Sequence, residues 1–154
     1  MKVSRLFLAA ALLLPALSIA DTPGRHPAYL HARTDLWRAT FILESRDEEN
    51  VMRDLRAAGR EVRDAIGEID RAAVLDRKDL DDHPRVDTNL RGKGKFRAAA
   101  QLLWSAKRDL LREEDNRAAR GWRDAAIAKI DHALELVRRA ARDDRFDDEF
   151  RRMP

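Results

Sequence analysis

"AIGEID", residues 65–70, returns with two changes as "AIAKID", residues 126–131. In a chain of 154 residues such an echo is either a repeated active-site motif or the trace of a repeated structural unit. The flanking residues favour the second. Ala65, Ile66, Ile69, Asp70 and Ala72 align with Ala126, Ile127, Ile130, Asp131 and Ala133 at a constant separation of 61. The 3.6-residue period places these apolar residues on one stripe of a helix.

A second echo lies upstream of each copy. Tyr29, Ala32, Leu36, Ala39 and Leu43 form one stripe; Phe96, Ala99, Leu103, Ala106 and Leu110 form another, 67 positions later. Both step 3, 4, 3, 4, as an a/d seam does. Trp37 and Trp104 each follow the central Leu. "LDD" at 80–82 is echoed by "FDD" at 146–148.

The spacing predicts four helices: about 27–45, 48–75, 93–113 and 117–142. Pro27 suits a first helical position, and the segment 76–92, with Pro84, Gly92 and several Asp, reads as a long connection. One hairpin leaves its apolar stripe exposed, so two must close on each other. The expected fold is therefore all-α, a four-helix up-down bundle built from two similar hairpins, 27–75 and 93–142, joined by 76–92. The repeated halves make closure within one chain and hairpin exchange in a dimer nearly equivalent, so monomer and exchanged dimer both stay open.

The first twenty residues, "MKVSRLFLAAALLLPALSIA", have the order of a secretory signal peptide: Lys2 and Arg5, an apolar run, then small residues at Ser18 and Ala20. The apolar run is short for a membrane span. The expectation is export, a single mature domain over 21–154, periplasmic or secreted, without a stable span after cleavage. Removing Lys2 and Arg5 from the 31 basic residues leaves them almost balanced against the 28 acidic ones. A balanced chain lacks the excess positive charge that nucleic-acid binding needs. Without Cys, disulfides, thiol chemistry and an acylated lipoprotein anchor are all excluded.

Catalytic and cofactor templates fit poorly. Counted from Asp79, an EF-hand loop would place Pro84 where glycine is required and Leu90 where glutamate is required. "RGKGK", 91–95, lacks the Lys-Ser/Thr ending of a phosphate loop. Only Ser45 and Ser105 remain as mature-chain serines, and no Glu-x-x-His pair exists for a carboxylate-bridged metal pair. No cofactor is expected. His31 and Asp35, four apart on one face, with His83 from the connection, are the candidate metal ligands; haem ligation by Met52 with His31 or His132 is the weaker cofactor alternative.

The sharper candidates are Asp70 and Asp131, each beside an apolar stripe at the edge of an interhelical groove. With Trp37 and Trp104 they form the candidate groove for a protein or small ligand of the cell envelope. The competing reading pairs each Asp with an arginine of a neighbouring helix, such as Arg33 or Arg38.

"HPAYLHARTDL" (26–36), "LDDHPRVD" (80–87) and "EEDNRAARGWRDAAIAKIDHAL" (113–134) together resemble a family of small exported bacterial helical proteins. That resemblance implies a helical fold and export and transfers no activity to any residue. In composition and compartment the chain is also similar to exported, charge-rich helical chaperones and metal-stress proteins, although their Leu-Thr-x-x-Gln signature is absent. The function expected is a non-catalytic binding or envelope-stress module; the alternative is a metal- or haem-binding periplasmic four-helix bundle.

Overall fold

The computed structural model describes residues 28–144 apart from 48, 87, 92 and 114–116. The expected signal peptide, His26, Pro27 and the "FDD" echo lie outside the described residues. Four helices run Ala28–Leu43 (α1), Glu49–Leu75 (α2), Lys95–Arg112 (α3) and Arg120–Asp143 (α4). Each lies within about a turn of its sequence-predicted bounds. Every residue of the two five-residue stripes is buried, because an a/d seam on a charged helix has only one face that can leave water.

The chain is an all-α four-helix bundle of two hairpins, and the halves close on each other more extensively than the helices within either hairpin. α1 packs on α2 and α3, while α4 packs on α2 and α3, so the ring order is α1, α2, α4, α3. Lys95, at the start of α3, donates to Ser45 O at 2.7 Å and lies 3.0 Å from Asp47, both just past the end of α1. Asn50, in the first turn of α2, donates to Asp143 O at the end of α4. Ring neighbours are therefore antiparallel throughout. The connection must climb the bundle's full height before α3 begins, which accounts for its length. It does so over α1, with Leu80, Val86 and Leu90 partly buried against the core.

The structure also corrects the register of the opening echo. α2 and α4 pass with Asp54 beside Arg139, Glu61 beside His132 and Asp64 beside Lys129. Arg33 on α1 meets Asp70 on α2 and Lys107 on α3 meets Asp131 on α4; with α1 and α3 related by 67 positions, these two antiparallel contacts relate α2 to α4 by 68, one heptad beyond 61. Under that relation Ala58, Val62, Ala65, Ile66, Ile69, Ala72 and Ala73 correspond to Ala126, Ile130, Ala133, Leu134, Val137, Ala140 and Ala141, all buried. "AIGEIDRAA" (65–73) is thus the structural partner of "ALELVRRAA" (133–141). The many alanines let α2 and α4 approach toward the lower end of the roughly 8–10 Å range of helix packing.

α2 stops in a Schellman turn: Lys78 N–H donates to Ala73 O and Arg77 N–H to Val74 O. The left-handed position is occupied by Arg77, φ 55°, where glycine is usual, at a cost of about 1 kcal/mol. The turn delivers Lys78 into the base of the bundle. There its ammonium lies 3.6 Å from the Glu113 carboxylate at the end of α3, with both side chains almost fully enclosed.

Candidate functional site

The four residues of the expected groove do not share one groove. Asp70 accepts a hydrogen bond from Arg33 Nε at 2.8 Å across α1 and α2, which is the arginine pairing considered from sequence. Asp131 accepts two from Lys107 Nζ, at 2.6 and 2.7 Å, across α3 and α4. Since α1/α2 and α3/α4 lie on opposite sides of the ring, the structure sorts the candidates into Trp37 with Asp70 and Trp104 with Asp131. Both tryptophans are half exposed. Lys107 and Arg138 approach the Trp104 ring, at 5.5 and 5.8 Å from its centroid.

The candidate metal ligands are likewise dispersed. Asp35 is buried and His31 is half-buried on α1. His83 Nδ1 lies 3.3 Å from Arg33 Nη1, so a guanidinium already occupies the direction from which that nitrogen would approach a cation. Among the described residues, no three His, Cys, Asp or Glu side chains are grouped to hold a metal ion.

Arg33 organises the surface on the α1/α2 side. Its Nε holds Asp70, and Nη1 donates to Leu80 O at 3.2 Å, pinning the start of the connection to both helices. Above it, Arg33, Thr34, Trp37 and His83 line a recess of about 390 Å³. Beyond Asp70 a second recess of about 390 Å³ is lined by Asp70, Arg71, Val74, Leu75 and Trp122. Val74, Leu75 and Trp122 are 60%, 46% and 39% exposed, and Arg71 stacks 5.1 Å from the Trp122 ring centroid. The result is a contiguous apolar patch with the Arg33–Asp70 pair as its polar border.

Sequence reasoning missed Val74, Leu75 and Trp122. Their signal was present as apolar residues off the buried stripes. Which stripe stays uncovered, however, depends on the ring order of the helices. It also missed Asp54, buried on α2, to which Arg139 of α4 donates through both Nε and Nη2. Those hydrogen bonds hold the Asp54 carboxyl below its usual range, outweighing the opposing effect of burial, and they raise Arg139.

Neither serine is arranged as a nucleophile. Ser45 donates to Ile42 O, and buried Ser105 accepts from Arg108 at 3.4 Å. No described helix is long and apolar enough to cross a membrane. No family model, curated protein or solved structure matches this chain.

Proposed function

We propose that this chain is an exported, non-catalytic binding module of the bacterial cell envelope, periplasmic or secreted, as its signal-peptide-like start and its resemblance to small exported helical proteins suggest. Its binding surface is the recess of Asp70, Arg71, Val74, Leu75 and Trp122. The observation that carries this reading is the exposure of three large apolar side chains side by side around one recess, at 60%, 46% and 39%. Clustered apolar exposure of this kind marks interaction surfaces, because leaving it in water forfeits burial free energy. Asp70 and Arg71 at the border supply directional contacts. The surface suits the apolar side of a protein partner's helix or a small amphipathic ligand.

The test is photo-crosslinking from position 74 in the native envelope. One defined product is expected, lost in Leu75→Asp and in Trp122→Ser while helicity is kept; the same product from both variants contradicts the reading. The alternative, a metal- or haem-binding bundle, is separated by elemental analysis and a visible spectrum of protein taken from its own envelope fraction. Stoichiometric metal or a Soret band would establish it.

A further inference from the structure

The pseudo-twofold relation leaves one surface unmatched. On the first half, the chain that follows α2 crosses the outside of α1: Leu80 O and His83 meet Arg33, and His83 with Thr34 and Trp37 walls a recess. On the second half, α4 ends at Asp143 beside Asn50, at the opposite end of the bundle, and ten residues follow Asp144, "RFDDEFRRMP" (145–154), outside the described residues. The surface equivalent to the one crossed by the connection comprises Ala100, Gln101 and Trp104 on α3. Arg138 on α4 stands where the first half has Asp70.

We propose that residues 145–154 dock in cis on the outside of α3 across Trp104, as the counterpart of the connection on α1. Three observations support that occupant. "LDD" (80–82) opens the connection and "FDD" (146–148) opens the tail, at a separation of 66 that matches the helix separations of 67 and 68 to within two residues. The tail starts at the correct end: an extended chain covers about 20 Å over the six residues from Asp144 to Phe150, enough to pass from the end of α4 onto the first turns of α3.

Charge is complementary as well. The first half balances its site internally with Arg33 and Asp70; the second replaces them by Ala100 and Arg138, leaving a cation on the helix and placing Asp147, Asp148 and Glu149 on the tail. Arg138 lies at the Trp104 ring and only 3.8 Å from Glu135 of its own helix, an exposed pairing of the kind that contributes little. Lys107, the other cation at the ring, is held by Asp131. The aromatic side chains of the tail meet Trp104 while its carboxylates meet Arg138.

The absence of Cys permits a direct test. In the mature full-length chain, Gln101→Cys with Glu149→Cys is compared with Arg53→Cys with Glu149→Cys; Arg53 is largely solvated on α2, within a turn of Asn50, which holds the root of the tail, but on another face. Under mild oxidation in dilute solution the first pair is expected to close an intramolecular disulfide about tenfold faster, because docking raises its effective concentration. Equal rates, or a disulfide-linked dimer as the main product, overturn docking in cis. Arg138→Glu is expected to abolish the rate advantage and Arg138→Lys to keep it, with helicity unchanged in both; an advantage that survives Arg138→Glu overturns the charge argument.

Discussion

The first and second halves bury nearly the same stripes and hold different things at their rims. Leu36 and Leu103 sit in equivalent core positions and both are fully buried. At the border, the first half pairs Arg33 with Asp70, and the second pairs Lys107 with Asp131, one heptad away from the equivalent level. The difference shows which part of a repeated unit constrains the fold. Core positions must present matched volumes to a symmetric partner, whereas rim positions only need solvation and are free to diverge.

The largest expected effect breaks the core equivalence. Leu36→Ala and Leu103→Ala should each destabilise the protein by roughly 2–5 kcal/mol, in denaturant titrations, and by similar amounts. A cost confined to one of them would show that the halves are not packed alike.

Next is the ion pair enclosed at the base of the bundle. Lys78→Met removes the ammonium beside the nearly enclosed Glu113 and should cost about 3 kcal/mol, because breaking a buried ion pair is expensive. Replacing both, Lys78→Met with Glu113→Leu, should recover most of that loss in the same titration. No recovery would mean that the packing of Lys78, rather than its charge, matters at the base.

A third probe is pH. Asp54 is held below its usual range by the hydrogen bonds from Arg139, so the folded state binds fewer protons there than the unfolded one. The stability it contributes is full above the unfolded value of about 3.9 and fades as pH falls through the lower folded value. Asp54→Asn should therefore be less stable than the parent at neutral pH, and the gap should narrow below pH ~4. A gap that is flat with pH contradicts the assignment.

The smallest effect sharpens the rim comparison. Asp70→Ala, removing a partner from a mostly enclosed Arg33, should cost up to about 1 kcal/mol, and Asp131→Ala, more exposed, less than about 0.5 kcal/mol. Equal costs in thermal unfolding would erase the distinction between the two sides.

Much of the fold was legible in the sequence, and its principal error has a physical cause. The stripes from Tyr29 to Leu43 and from Phe96 to Leu110 were aligned correctly because an aromatic at one end and a tryptophan beside the middle fix the register. The Ala- and Ile-rich stripes of α2 and α4 carry no such marker. A seam that repeats every seven residues looks almost the same after slipping by seven, so "AIAKID" matched "AIGEID" although its place in the bundle is one heptad away. The Arg33–Asp70 contact was also within reach of sequence reasoning, since a carboxylate beside an apolar stripe faces the neighbouring helix. The patch of Val74, Leu75 and Trp122 was not, because it exists only where α2 and α4 come together at one end of the bundle.

The most direct test of the two-hairpin packing is a distance between α2 and α4. Spin labels at Asp64 and Lys129, whose charged groups face each other at 3.9 Å, should report backbones at adjacent-helix separation, about 10 Å, in a species of monomer mass. A packing in which α4 is slid along α2 by one heptad would move the labels about 10 Å along the axis; a correspondingly longer distance would contradict the account.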